Sequence, residues 1–175
     1  MMKTNEMIAL VNNISITSLP VISVLGGNVM HGMKKTDSGF KGFGEAYFSY
    51  IEKNKIKAWK KHLKMNLNLI VPFGTVMFVF MDESGSFRKE IIGDKQTLRL
   101  SVPPGIWFGF KGIGSEVNII LNTAGNLISI YNTQGVLVKQ LYITNAEERI
   151  NIADLSKGMY IIEVKSEESR SFQKI

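Results

Sequence analysis

The sequence predicts an all-β fold, a sandwich or barrel of short antiparallel strands. Apolar and polar residues alternate through six segments, each rich in Val, Ile, Phe and Tyr. Turn residues separate them: Pro72 to Gly74, Asp82 to Gly85, Gly93 and Asp94, Pro103 to Gly105, Asn132 to Gly135, and Lys157 with Gly158. No segment of ordinary helix length repeats its apolar residues every 3.6 positions, and "NAEERINIADLSKG" offers one short turn around Ala153 to Ser156. Strands at regular spacing joined by short turns build sandwiches and barrels.

The elements follow in order. "MMKTNEMIALVNNISITSLPVISVLGG" is mildly apolar but broken by Asn12, Asn13, Ser15, Thr17 and Pro20, so it reads as a strand or two. A signal peptide wants an unbroken apolar centre of about 7–15 residues. "EAYFSYIEKNKIKAW" and "LNLIVPFGTVMFVFMDE" each read as a strand pair, and "QTLRLSVPPGIWFGF" as two strands about a Pro-Pro-Gly turn. "EVNIILN", "NLISIYNTQGVLVKQLYI" and "GMYIIEVKSE" complete the set.

The chain has 175 residues, one domain or one domain with a small companion, and its 45% apolar content supports a packed core. Cysteine is absent, which removes disulfides, thiolate metal sites and cysteine nucleophiles. No run approaches the roughly 18 apolar residues of a membrane helix. The net charge of +6 is uneven: six basic and seven acidic residues follow from Glu116 onward, so the excess lies before it. It concentrates in Lys53, Lys55, Lys57, Lys60, Lys61 and Lys64. Such a cluster guards a strand edge or receives a phosphorylated ligand. It lacks the arginine and interleaved aromatics of a nucleic-acid surface, so no nucleic-acid partner is expected.

Composition shifts near Asn122. Both tryptophans, both histidines and all four prolines precede it, and a single phenylalanine, Phe172, follows. The expected division is therefore 1–121 and 122–175.

Three motifs in the first part, "GFGEAYFSYI", "IKAWKKHLKMNLNLIVPFGTVMFVFMDE" and "LRLSVPPGIWFGFKGIG", resemble a branch of the cupin superfamily. That branch holds the dTDP-4-dehydrorhamnose 3,5-epimerase-like and 3,4-ketoisomerase-like proteins, and the likeness is to its WxcM/FdtA-like sugar-nucleotide isomerase group. It covers about residues 26–121. The resemblance implies a jelly-roll barrel, a homodimer, a dTDP-sugar bound in the barrel mouth, and proton transfer beside a sugar ketone without metal or other cofactor.

Residue by residue, the metal-cupin pattern does not fit. Lys60 stands at its first histidine, His62 at the second, Asn66 or Leu67 where glutamate falls, and Phe108 at the later histidine. One ligand of four is too few for a transition metal. In the metal-free pattern the base position falls on Lys60, and His62 matches the second histidine of the ketoisomerases. The resemblance thus implies His62 as acid/base, with a pKa range suited to neutral pH. Lys60 and Lys57 hold a diphosphate or polarise a keto oxygen. Lys64, Asn66 and Asn68 alternate on one strand face and offer contacts to sugar hydroxyls. Glu45 and Tyr47 share a face at the mouth. Trp107, with Trp59, Phe108 and Phe110, serves packing or a stacking platform. His31 reads as a loop or strand-edge residue.

The last part, "NTAGNLISIYNTQGVLVKQLYITNAEERINIADLSKGMYIIEVKSEESRSFQKI", resembles the C-terminal sorting domain of type IX secretion cargo over about 116–175. The resemblance implies a small antiparallel sandwich read by a secretion machine, with no catalytic residues. Its inward set is Ile128, Ile130, Val136, Val138, Ile152, Leu155, Tyr160, Ile162 and Val164. The two resemblances pull apart: the epimerase branch implies a cytoplasmic protein, the tail a secreted or surface one. The barrel reads as shortened, leaving an edge for the tail or a second subunit to cover.

Overall fold

The structure, a computed structural model, describes residues 10–125, 127–142 and 150–164. A 3-10 turn, Leu10–Asn13, leads into β1 (Ser15–Ser18), β2 (Val21–Ile22) and β3 (Val29–Met30). The next strands are β4 (Glu45–Glu52), β5 (Ile56–Lys61), β6 (Asn66–Phe73), β7 (Thr75–Met81) and β8 (Phe87–Gly93). β9 (Leu98–Val102), β10 (Trp107–Gly112) and β11 (Val117–Gly125) follow, then β12 (Leu127–Asn132), β13 (Leu137–Tyr142) and β14 (Tyr160–Val164).

Two antiparallel sheets face each other. One has the order β1-β9-β6-β11-β4 and the other β5-β10-β7-β8. This is a cupin-like jelly roll. The alternation seen in the sequence maps onto its two sides. Val76, Phe78 and Phe80 of β7 turn inward and are buried, while Met77, Val79 and Met81 are half-buried on the outer side. They meet Leu67, Leu69, Val71, Leu100, Val102 and Ile120 of the larger sheet. Phe78 lies 5.9 Å from Phe110 and 6.2 Å from Phe80, centroid to centroid. Each such buried side chain contributes about 1.5–3 kcal/mol of transfer free energy.

Strand β6 is central and covered on both sides. Its inner residues join the core; its outer residues Asn66, Asn68 and Ile70 lie under residues 32–43. At the other end of the chain's barrel portion, the 3-10 turn is tied down by Asp82, whose carboxylate accepts the Val11 N–H at 3.2 Å. Arg88 Nη1 donates to Ile14 O at 2.6 Å.

The compositional seam at Asn122 falls inside β11, which runs unbroken to Gly125 and leads to β12 past one residue. β12 is the centre of a three-stranded sheet of order β13-β12-β14. Here the expected inward set narrows. Ile128 and Ile130 are buried, but Val136, Val138, Ile152 and Ile162 are exposed, and Leu155 and Tyr160 are half-buried. A central strand is flanked on both edges, whereas side chains on edge strands need a second layer, which the described residues do not supply. The side chain of Val164 and the terminal basic residue Lys174 lie outside the described residues.

Candidate active site

The lysine-rich strand β5 gives the site its character. It pairs with β10, and the register places Lys60 opposite Phe108 and Lys57 opposite Phe110, with an irregularity between the two pairs. Residues directly opposite share a face. Phe108 and Phe110 are core residues, so Lys57 and Lys60 both emerge on the inner side. Three residues apart, they would fall on opposite faces of a regular strand; the irregularity brings them to the same one. His62, one residue past β5, is 5% exposed, and its ring stacks on Phe108 with centroids 5.9 Å apart. Its carbonyl accepts the Gly105 N–H at 2.8 Å, which joins the end of β5 to the Pro-Pro-Gly turn.

The two lysines behave differently. Lys57 Nζ donates to Tyr50 O at 2.7 Å, bridging the edges of the two sheets. Lys60 is half-buried. Burial lowers its ammonium pKa, and the Lys57 charge lowers it further. Across the barrel, β4 presents Tyr47 and Ser49 on the same side as the core residue Ile51. Asn122 of β11 stands opposite Tyr47 and donates from Nδ2 to Ser49 Oγ at 3.2 Å. Burial, and then the Glu45 carboxylate, hold the Tyr47 phenol above its ordinary pKa. The inner lining therefore combines cationic amines, an imidazole, a phenol and an amide with aromatic walls. Such groups have the chemistry to exchange protons and to pair with anions. Among the described residues no cluster of His, Asp or Glu is arranged to hold a metal ion.

The other expected site residues are placed elsewhere. Lys64 reaches Glu163 of β14 at 2.7 Å, linking the barrel to the tail sheet. Asn66 and Asn68 face away from the core and donate to Gly39 O at 3.4 and 3.0 Å. Strand parity explains this: Leu67 and Leu69 take the inner side, so the asparagines take the outer. Trp107 also faces outward, with Lys61 Nζ 5.3 Å from its ring and paired with Glu83. Glu45 does share the Tyr47 side of β4 by strand parity, and is exposed at the start of that strand. His31 is exposed beside the short strand β3.

The sequence reading passed over Ser49 and Asn122, which alternation with Tyr47 and Ile120 would have marked. It also passed over Arg99, which is fully buried. Its Nη1 donates to Asp37 Oδ2 at 2.7 Å and to Gly32 O at 3.0 Å, pinning residues 32–43 over β6. No sequence pattern announces a partner 62 residues away.

The fold defines a class: a cupin jelly roll like those of dTDP-sugar epimerases and isomerases, followed by a segment like a sorting domain. The dTDP sugar isomerase of Desulfovibrio desulfuricans G20 is similar at 29% identity and TM-score 0.62, over 67% of this chain and 79% of that one. The dTDP-4-dehydrorhamnose 3,5-epimerase of Bacillus anthracis str. Ames, solved with TDP and PPi, shares the fold at 17% identity and TM-score 0.57, over 64% and 71%. The probable low-salt glycan biosynthesis epimerase Agl13 of Haloferax volcanii is 26% identical over 89 residues, 47% of this chain. That alignment spans 57% of the relative's own length. Residues 114–175 match the secretion system C-terminal sorting domain. The match begins before β11, so it includes a barrel strand as well as the tail sheet.

Proposed function

We propose that the barrel binds a dTDP-4-keto-6-deoxy sugar and moves a proton at the carbon beside its ketone, as a metal-independent 3,5-epimerase or ketoisomerase. The observation that carries this reading is the run of Lys57, Lys60 and His62 along the inner side of β5 and the residue that follows it. It is supported by the likeness to a dTDP sugar isomerase over 79% of that chain. His62 is the acid/base. Lys57, at the gap between the sheet edges, receives the diphosphate, and Tyr47 faces the sugar from β4. Proton transfer at an activated C–H needs no redox partner, so no cofactor is required.

The decisive experiment incubates the protein with dTDP-4-keto-6-deoxyglucose in deuterium oxide. Deuterium at C3 or C5 supports catalysis. Measurable affinity without exchange favours a nucleotide-sugar-binding module in the same barrel. Neither affinity nor exchange overturns both.

A second reading rests on the sorting-domain match at 114–175: the chain is handed to a secretion machine through its tail. Fractionation of the native host tests it. Full-length protein outside the cell or on its surface supports secretion, and full-length protein confined to the cytoplasm supports the enzyme reading alone. A homodimer fits the exposed aromatic face of β4 and β6, where Phe48, Tyr50 and Phe73 meet solvent. Sedimentation equilibrium at twice the 19.6 kDa chain mass is the expected result.

A further inference from the structure

Lys60 is a poor fit for the role of a fixed positive charge. A lysine that only holds a phosphate gains from staying solvated and protonated. Lys60 instead sits half-buried on the inner side of β5, opposite the core residue Phe108 and beside a second ammonium. Desolvation and a neighbouring cation are the two devices that turn a lysine into a neutral amine nucleophile. His62 follows two residues later and packs on the same Phe108 ring, so a proton acceptor flanks the amine. Lys57, the neighbouring cation, is held in place by Tyr50 O.

We propose that Lys60 acts as an imine-forming lysine that takes the carbonyl carbon of its substrate covalently. This rests on the keto-sugar reading above and deepens it. The neutral Nζ attacks the keto carbon, and the C=O π pair moves to oxygen, which takes a proton. The resulting carbinolamine loses water to give a protonated imine. The C–H beside the C=N⁺ is then acidic. Its proton passes to His62, and the electron pair forms an enamine. Reprotonation at carbon returns the imine, and water releases the ketone and regenerates Lys60. Atoms and electrons balance without an oxidant or reductant. The iminium supplies an electron sink for the developing carbanion without a metal.

The test is reductive trapping followed by peptide mass mapping. Two probes are used on the full chain: dTDP-4-keto-6-deoxyglucose with sodium borohydride or its cyano form, and 2,4-pentanedione without reductant, whose enaminone with a neutral lysine amine absorbs in the near ultraviolet and is read directly. Trapping of both at Lys60, lost about tenfold or more in Lys60→Arg, is the expected result. Lys57→Met slows trapping at neutral pH, because removing the neighbouring cation leaves a smaller fraction of Lys60 as the neutral amine. Lys61→Arg, on the outer face, leaves trapping unchanged. Diketone trapping at Lys60 without keto-sugar trapping upholds the reactive amine and overturns the nucleotide-sugar reading. Labelling spread over the exposed lysines, or absent from Lys60 in the wild-type chain, overturns the proposal. That outcome is read on the unmutated protein and needs no variant to fold.

Discussion

Lys60 and His62 lie two residues apart, and their surroundings assign them different work. The Lys60 ammonium pays for its partial burial at neutral pH. Its folded pKa is lowered, so the cost is full below that value and disappears as pH rises past the unfolded value of about 10.4. Lys60→Met is therefore expected to stabilise the protein at pH 7, by under about 1 kcal/mol because the group is half exposed and screened. Urea denaturation at pH 7 and pH 10 checks this: the advantage of the variant shrinks at the higher pH. His62→Asn keeps a small polar group at a buried position and removes the proton acceptor. Deuterium exchange into the keto sugar is expected to fall about 10²–10⁴-fold. A circular-dichroism melt separates that loss from unfolding. Asp37 provides a contrasting case. The Arg99 guanidinium holds its carboxyl below the usual range, so the pairing stabilises above the unfolded pKa and is lost as pH falls through the folded one. Asp37→Asn leaves a buried guanidinium short of its carboxylate and is expected to cost about 2–3 kcal/mol, trimmed by the partial exposure of Asp37.

Among the elements, β5 depends on a glycine in its neighbour. A Cβ on Gly109 would come within 2.6 Å of Ala58 Cβ, at the irregularity that turns Lys57 and Lys60 to the same side. Gly109→Ala is expected to push β5 away from β10. The stability loss should be about 1–3 kcal/mol, and the two lysines should lose their common face. Denaturation and the diketone trapping rate at Lys60 would both report it. The β6–β14 side has its own link. Lys64 and Glu163 are each about a quarter exposed, and Tyr131 also donates to Glu163, at 3.2 Å. A double-mutant cycle on Lys64→Met and Glu163→Gln is expected to give a coupling of about 0.5–1 kcal/mol. A coupling near zero would mean that this ion pair does not help to hold the tail sheet against the barrel.

At the scale of the whole molecule, the sequence by itself determined the all-β class and the strand and turn order, and it marked a change of composition near Asn122. These depend on local chemistry: alternation with a period of two, Gly and Pro at turns, and composition that changes near Asn122. It also marked Lys57, Lys60 and His62, because their residue types are unusual on a strand that enters a core. Tertiary structure decided what those positions mean. Reading alternation alone put Lys64, Asn66 and Asn68 together on a ligand-facing side. The fold turns the asparagines outward under residues 32–43 and gives Lys64 to the tail, because which face of a strand is inner is set by the opposing sheet. Conversely, Lys57 and Lys60 have the wrong spacing to share a face, and only the irregular pairing with β10 unites them. The seam at Asn122 is real in composition, yet β11 crosses it, since a barrel strand is defined by its hydrogen-bonded neighbours β4 and β6 and not by its own residues.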